Sequence, residues 1–446
     1  MHEFWKFLVP FSLVFGHKVS AVPLQTHQSG GDEHIVIIDS THPAPPQVAD
    51  VLQRLALNSS HSDVRHVYNN SAFQGFSASM NSHCLNLLAN MTDVSLVEKV
   101  TSVSHAVFDS TTSMKRDSSP YHFRQSAPWG LQRISTSSAM SGNEAATDYT
   151  YSFADPNLGQ GSDIYIIDTG IYTAHNVFSG RATMDWSFNG NMTDSDGHGT
   201  HVAGTAGGAI LGVASNAKLH GIKALGADGG GVSSSVVAAI DYVISTHEKR
   251  SAQSGFVGSV ISMSLATSSL VDAISSAISA ATRAGVHVVV AAGNSGTDAC
   301  GASPSSSGGT GGPAISVGAI GISGAVTSFS NTGSCVDVYA PGENVISSWI
   351  GGPSLIESLS GTSMATPHVT GIVACAMHNQ TLARNPGLMK EWVRMTALKM
   401  TQGALLANNG VKADVGQGVL GLQRSAVSKT PFNVVKSDGN NSLAKR

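Results

Sequence analysis

The chain alternates short, continuously apolar runs with longer amphipathic stretches between about residues 127 and 425. Runs that are apolar at successive positions are typical of strands buried on both faces. Hydrophobic residues that recur every three or four positions predict helices between them. Together they indicate an α/β fold with a central, mostly parallel sheet covered on both sides. The predicted strands are 162–170, 218–225, 258–265 and 286–294, and the predicted helices are 200–210, 233–248, 270–284 and one that begins at Ser363.

A different order of patterns occupies about residues 34–105. It reads strand, helix, hairpin, helix and strand, with the last strand over 94–103. This β-α-β-β-α-β order is typical of a split βαβ unit. We therefore predict a small α+β, ferredoxin-like domain before the α/β unit.

The N-terminus predicts export. Lys6 precedes the apolar run 7–15, which is too short to span a bilayer and is typical of a secretory signal peptide over residues 1–21, cleaved after Ala21. No other run approaches the roughly 18 apolar residues of a membrane helix. We expect a soluble, secreted, extracellular protein with no membrane partner.

Two polar segments mark the boundaries of the units. Residues 107–126 are rich in Ser and Thr, include the basic pair Lys115-Arg116 and predict an exposed linker that is easily cut. Residues 428–446 predict a polar C-terminal tail. The domain boundaries that follow are 1–21, 22–118, 119–427 and 428–446.

Composition narrows the class of partner and modification. The net charge of −4 gives no electrostatic reason to expect a nucleic-acid partner, and 41% hydrophobic residues allow a large core. Export makes both N-glycosylation and disulfides possible. The Asn-x-Ser/Thr sequons are at Asn58, Asn69, Asn90, Asn191, Asn379 and Asn440, and the cysteines are Cys84, Cys300, Cys335 and Cys375.

Candidate chemistry lies where predicted strands end and helices begin. Asp168, Asn294 and Ser264 close strands, and ligands of open α/β sheets bind beyond the carboxyl ends of strands. His198 lies between two glycines at the start of a helix. Ser363 lies at another helix start, where free backbone N–H groups favour a developing negative charge.

These residues supply every part of an acyl-transfer site. A serine hydroxyl needs a base to take its proton, an imidazole suits that task, and a buried carboxylate orients the imidazole. A side-chain amide can donate to the oxyanion. A metal site at His198 and His201 is the weaker interpretation, because no H-E-x-x-H motif occurs. An esterase or lipase and a secreted, non-catalytic binding protein are the alternatives, although Ala365 replaces the second glycine of the G-x-S-x-G motif of lipases.

The motifs "IIDTGI", "DGHGTHVAGT", "AAGNSG" and "SGTSMATPHVTG" occur in that order. They resemble the subtilisin-like serine proteases (peptidase S8), and most closely the proteinase K-like branch of secreted fungal enzymes. "SAPWGLQRIS" (126–135) is similar to the start of the mature enzyme, and 34–105 resembles the inhibitor I9-type propeptide. The resemblance implies a three-layer subtilisin-like fold and an endopeptidase made as a self-inhibited zymogen.

The resemblance also implies roles for individual residues. Ser363 is the expected nucleophile, His198 the general base and then acid, Asp168 the orienting carboxylate and Asn294 the oxyanion donor. The substrate peptide is expected to add as a strand between two backbone edges. The implied substrate-binding residues are Gly229, Gly230, Gly231, Ser264, Leu265, Ala266, Ala292 and Gly293.

Further expectations from the resemblance concern specificity, stability and maturation. Relatives favour large apolar P1 residues, but Ala266 stands where the family often has Gly. Cys300 and Cys335 are expected to form a disulfide, and Asp337 resembles the carboxylate of a structural calcium site. No catalytic cofactor is expected, and we expect a monomer that acts on proteins and peptides. Release of the propeptide is expected in the linker, by the enzyme itself or by a processing enzyme at Lys115-Arg116.

Overall fold

The computed structural model describes residues 31–105, 121–400, 403–412 and 433–434. The predicted signal peptide, most of the predicted linker and most of the predicted C-terminal tail lie outside these ranges. No helix in the described ranges is both long and apolar enough to cross a membrane.

The N-terminal unit has the predicted order of elements. Its strands form a four-stranded sheet in the order β2-β3-β1-β4, with antiparallel neighbours. One face of β1 buries Val36 and Ile38 in the core of the unit, and the other presents Ile35 and Ile37 to the second unit. The elements are β1 (Glu33–Ile38), α1 (Val48–Arg54), β2 (Val64–Asn69), β3 (Gln74–Ser79), α2 (Ser82–Leu88) and β4 (Val94–Lys99).

The single strand predicted over 94–103 is wrong. The chain leaves the N-terminal sheet after β4 and forms a separate strand, β5 (Ser102–His105), which pairs with the second unit. At the break, the Thr101 N–H donates to Ser233 Oγ (3.0 Å) and the Ser233 N–H donates to Thr101 O (2.8 Å). These bonds to a distant segment satisfy the backbone where the first sheet ends.

The second unit contains the predicted strands and helices, with shorter strands than the apolar runs suggest. In chain order its elements are β6 (His122–Ala127), α3 (Trp129–Arg133), β7 (Tyr149–Phe153), β8 (Ser162–Asp168), β9 (Ala182–Ser187), α4 (His198–Gly207), β10 (Lys218–Lys223), β11 (Gly230–Val232), α5 (Ser233–Ser251), β12 (Gly258–Met263), β13 (Leu265–Thr267), α6 (Asp272–Arg283), β14 (His287–Ala291), β15 (Ile315–Ile320), β16 (Val338–Pro341), β17 (Val345–Ser348), β18 (Leu355–Leu359), α7 (Thr362–Ala376), α8 (Gln380–Ala383), α9 (Pro386–Thr396), β19 (Leu398–Lys399), β20 (Leu405–Leu406) and β21 (Asn433–Val434).

The central sheet has the order β19-β20-β16-β15-β14-β12-β8-β10-β9. Its neighbours are parallel except for the edge pair β19 and β20, so the predicted α/β fold class is confirmed. Along β8, Ile164 and Ile166 pack into the cluster that includes α4 and α7. Tyr165 and Ile167 pack into the cluster that includes α5 and α6. This alternation builds the three layers.

Three neighbouring strands of this sheet position the site. β14, β12 and β8 are adjacent and parallel, so their carboxyl ends lie at the same edge. Asp168 ends β8, Ser264 follows β12, and Asn294 follows β14 closely.

A short part of the predicted C-terminal tail is paired with the second unit. Asn433–Val434 runs parallel to β18, opposite Leu355 and Ile356. A strand edge offers unpaired backbone groups, which is why a polar segment without a hydrophobic pattern can still join it.

Candidate active site

Asp168 and His198 meet directly. The Nδ1 atom of His198 lies 2.7 Å from Oδ1 of Asp168, and the two side chains are 1% and 0% exposed. Oδ1 also accepts the Thr169 N–H at 2.8 Å. A buried carboxylate on Nδ1 selects the tautomer that carries its proton there, which leaves Nε2 able to accept one.

The turn before α4 holds His198 in place through Asp194. Oδ1 of Asp194 accepts from the Gly197 N–H and from Thr169 Oγ1 (both 2.9 Å). Its Oδ2 accepts from the Thr200 N–H (3.0 Å) and Oγ1 (2.6 Å). One carboxylate therefore ties the end of β8 to the first turn of α4. Gly197 has φ 112°, a left-handed conformation in which a side chain would be strained.

Ser363 is the second residue of α7, where backbone N–H groups precede the first helical hydrogen bonds. Its Oγ donates to Ser264 O (3.1 Å), and Ser264 Oγ donates to Ser363 O (2.8 Å). The second bond explains why Pro367 is tolerated inside the helix. Pro367 lacks the N–H that would pair with Ser363 O, and the Ser264 hydroxyl donates to that carbonyl instead.

Thr362 fixes the orientation of the Asn294 amide. Oδ1 of Asn294 accepts from the Thr362 N–H (2.9 Å) and from Thr362 Oγ1 (2.7 Å). Because the oxygen is held on this side, the Nδ2 donor faces away from Thr362. Sequence reasoning found Asn294 but missed Thr362, which precedes Ser363 directly.

Three polar atoms of the site are buried and unpaired. Among the described residues, Nε2 of His198, Nδ2 of Asn294 and Oδ2 of Asp168 have no hydrogen-bond partner. Buried polar groups are nearly always paired, so the unpaired imidazole nitrogen and the unpaired amide donor are candidates to bind a ligand. Such a base and donor suit the proton and the oxyanion of an acyl-transfer step.

The predicted substrate edges lie on both sides of a strand from the N-terminal unit. β11 and β13 both pair antiparallel with β5, giving a three-stranded sheet in the order β11-β5-β13. Ser104 lies opposite Gly230 on one side and opposite Ala266 on the other. Residues 229–232 and 265–267 therefore flank the main chain of β5, and their binding of a substrate peptide stays a prediction.

Gly229 allows this strand to approach closely. Its carbonyl accepts the His105 N–H at 3.1 Å, and its φ is 70°. A Cβ atom at Gly229 would lie 1.9 Å from the His105 ring. A side chain here would force the His105 ring away from its position and would be strained by the positive φ.

The imidazole of His105 covers the imidazole of His198. The ring centroids are 4.5 Å apart at 13°, and Nε2 of His105 lies 3.4 Å from Oδ2 of Asp196. Burial lowers the pKa of His105, but the hydrogen bond and charge of Asp196 outweigh it and leave the pKa raised. Asp196 also accepts the His198 N–H through Oδ1 at 2.9 Å. No local pattern in the sequence indicated this contact between the units.

Ala292 and Gly293 lie directly before Asn294. The Gly293 N–H donates to Thr362 Oγ1 (3.1 Å), and Ala292 O accepts from Asn331 Nδ2 (2.9 Å). Both residues are thereby held beside Asn294, and their contribution to a P1 pocket stays a prediction.

His201 belongs to the core of the second unit. Its Nε2 lies 2.9 Å from Val345 O and 3.2 Å from Glu357 O, and burial lowers its pKa to about 3. These contacts do not fit the metal interpretation of His198 and His201. Within the described residues, no three His, Cys, Asp or Glu side chains converge as a possible metal site.

Cys300 and Cys335 form a disulfide, as the resemblance implied. The surroundings of Asp337 do not fit the calcium ion expected there. Its carboxylate is fully buried and pairs with two cations, Lys390 Nζ at 3.0 Å and Arg394 Nη1 at 2.9 Å. A metal ion would have to share the carboxylate with an ammonium that is already in contact.

Five of the six sequons are exposed, which glycosylation requires, and their occupancy stays a prediction. The exposed asparagines are Asn58, Asn69, Asn90, Asn191 and Asn379, and Asn440 lies outside the described residues.

The fold and this arrangement of serine, histidine, aspartate and amide define a serine hydrolase with a peptide-binding cleft. The sequence model of the subtilase family (peptidase S8) matches residues 159–418, and the chain belongs to this family of serine endopeptidases. It is 37% identical over 312 residues to Proteinase R of Parengyodontium album, covering 70% of this chain and 72% of that protein.

Two further relatives agree. The subtilisin-like proteinase Spm1 of Pyricularia oryzae is 36% identical over 330 residues, covering 72% of this chain but only 59% of that protein. A solved structure of a cold-adapted subtilisin-like serine proteinase matches with a TM-score of 0.55 and 34% identity, covering 65% of this chain and all of that one. The predicted family is confirmed.

Proposed function

We propose that the protein is a secreted serine endopeptidase that is made as a zymogen, with its N-terminal unit as an intramolecular inhibitor and folding aid. The observation that carries the proposal is the position of β5. It lies as the middle strand between β11 and β13, with His105 stacked on His198. A segment held this way has the geometry of a bound peptide substrate.

The proposed reaction follows from the contacts of the site. Ser363 Oγ attacks the peptide carbonyl while Nε2 of His198 takes its proton, and Asp168 stabilises the imidazolium that forms. Asn294 Nδ2 and the backbone N–H of Ser363 donate to the oxyanion. His198 then protonates the leaving amine, and water hydrolyses the acyl-enzyme by the same route. The hydroxyl of Ser363 must rotate from Ser264 O toward His198 for the first step.

Apolar side chains before the scissile bond suit the cleft. Val103, two residues before His105, is 3% exposed and belongs to the apolar cluster that contains Leu225 and Leu265. We propose an apolar P4 subsite here, and an apolar P1 preference carried over from the family. The bond cut during maturation is proposed to follow His105 closely, because His105 already stacks on the catalytic imidazole.

The test uses two substrates and one covalent active-site label on the purified, processed enzyme. We expect hydrolysis of an unfolded protein such as casein, no hydrolysis of a triglyceride emulsion, and labelling of Ser363 by a fluorophosphonate. Turnover of the lipid alone would indicate the esterase alternative. Failure of both turnover and labelling would indicate a non-catalytic binding protein.

The N-terminal unit contacts α5 and α6 through polar groups as well as apolar ones. Oδ1 of Asp241 on α5 accepts from the Asn69 N–H (3.1 Å) and from Asn70 Nδ2 (2.7 Å). The carboxylate of Glu98 accepts the N–H groups of Asp272 (3.0 Å) and Ala273 (2.7 Å) at the start of α6. These contacts hold the unit over the cleft.

Asp241 should make the docking of the N-terminal unit dependent on pH. Burial raises its pKa to about 6, with a contribution from Glu248. Release of the N-terminal unit would return Asp241 to water and lower its pKa toward the ordinary value. Asp241 therefore holds a proton more readily while the N-terminal unit is docked than after its release. Protonated Asp241 stabilises the docked unit at low pH, and this stabilisation is lost as pH rises through about 6.

Asp241→Asn is therefore expected to slow activation at neutral pH. The asparagine keeps an oxygen for Asn69 and Asn70 but removes the buried charge, which should lengthen the lag before activity appears at pH 7.5 by roughly 3- to 10-fold. Near pH 4 the two proteins should behave alike. Glu391→Gln, an exposed change on α9, is the control. An equal lag at pH 7.5 in wild type, Asp241→Asn and Glu391→Gln would contradict the prediction.

A further inference from the structure

A buried ammonium lies in a cage of oxygen atoms on the second unit. Nζ of Lys390 donates to the carbonyls of Gly309 (2.6 Å), Gly312 (2.8 Å) and Ala314 (2.6 Å), and it lies 3.0 Å from Oδ2 of Asp337. Lys390 is 4% exposed. An ammonium has three N–H donors, so four oxygens this close satisfy it completely.

The oxygens converge because the backbone is folded tightly around the ammonium. The Gly312 N–H donates to Gly309 O (3.1 Å), and the Gly309 N–H donates to Oδ2 of Asp337 (3.0 Å). A Cβ atom at Gly309 would lie 2.3 Å from Ser334 O. The turn 308–314 is thus pressed against the segment that carries Asp337, with its carbonyls directed at one point.

Three neutral carbonyls and one carboxylate form the kind of ligand set that hard divalent cations such as calcium prefer. Buried carbonyls aimed at one point would be costly without a positive partner. In this chain α9 supplies that partner as the side chain of Lys390. Arg394, one turn further along α9, binds the other carboxylate oxygen from outside the cage at 2.9 Å.

We propose that Lys390 is a built-in substitute for a metal ion, occupying a latent divalent-cation site formed by the turn 308–314 and Asp337. The turn is held together without calcium because the cation is part of the chain. Removing the amine opens the oxygen cage and turns the site into one that takes calcium. The proposal concerns stability and stands independently of the proposed function.

The test uses full-length chain carrying Ser363→Ala, which prevents self-digestion, and measures thermal unfolding in EDTA and in millimolar calcium. For Lys390→Ala in this background we expect Tm to fall by roughly 5–10 °C in EDTA, because a buried carboxylate and three carbonyls lose their cation. Calcium should restore roughly 3–5 °C by binding the folded state. Magnesium should restore less, because it dehydrates reluctantly and demands octahedral geometry.

Arg394→Met is the matched control. It also removes one positive charge from Asp337 but leaves the ammonium in the cage, so its Tm should fall without any calcium-dependent recovery beyond that of the parent. Equal calcium shifts in the parent, Lys390→Ala and Arg394→Met would overturn the proposal. So would a larger calcium shift in the parent than in Lys390→Ala.

A measurement on the parent protein keeps the proposal testable if Lys390→Ala does not fold. Hydrogen exchange of the amides in 308–316 should be unchanged between EDTA and calcium, since Lys390 already fills the site. Loss of protection in EDTA confined to these amides would show that a metal ion holds the turn, and the proposal would fail.

Discussion

Ser363→Ala is expected to leave the N-terminal unit covalently attached to the rest of the chain and to lower peptidase activity by a factor on the order of 10⁶. The hydroxyl is the only group of the proposed site that can form the acyl-enzyme, and β5 already lies across the cleft beside His198. The measurement is the mass of the purified chain beside that of wild type. Wild type should lose the N-terminal residues up to a point shortly after His105.

Two variants sharpen this result. His198→Ala should also remain unprocessed, because the serine then lacks its base. Ser254→Ala, at an exposed position after α5, should be processed like wild type. Processing of the Ser363→Ala chain at the wild-type position would mean that another enzyme cuts it. Cleavage at Lys115-Arg116 in all variants would point to the same conclusion, and catalysis would then rest on the substrate assays.

Local patterns predicted the elements that carry the proposed catalytic groups. The run that ends at Asp168 is apolar on both faces and short, which favours a buried strand, and the glycines around His198 and Ser363 mark helix starts. The order of the four motifs then carried the resemblance to the family. The carboxyl ends of parallel strands lie at one edge of a sheet. The sequence therefore also predicted that Asp168, Ser264 and Asn294, which close such strands, lie at the same edge.

Contacts between distant segments were not predictable from local patterns. The alternation from Val94 to Val103 continues through the break between β4 and β5, because the partners of β5 are β11 and β13, far along the chain. Lys390 looks like an ordinary polar position of the amphipathic helix α9, and only the fold brings the carbonyls of 309–314 to it. The two cations that contact Asp337 also come from a segment distant in the chain, so the poor fit for calcium there was not predictable from local patterns.

The orientation of Asn294 is a further feature that only the structure supplies, and it leads to the second large effect. Because Thr362 holds the amide oxygen with two hydrogen bonds, the Nδ2 donor is fixed before any substrate binds. A donor fixed in advance costs no reorganisation when the oxyanion forms. The hydrogen bond from Nδ2 to the oxyanion therefore stabilises the transition state and not the ground state.

Asn294→Ala is therefore expected to lower kcat by about 100- to 1000-fold while KM changes little, measured on a peptide anilide with the processed enzyme. Thr362→Val should give the same kind of change at a smaller size, roughly 10-fold, because the amide keeps its donor but loses one of the bonds that aim it. Thr362→Ser, which keeps the hydroxyl, should stay close to wild type. A rise in KM with unchanged kcat in Asn294→Ala would assign the amide to ground-state substrate binding, and the oxyanion role would be wrong.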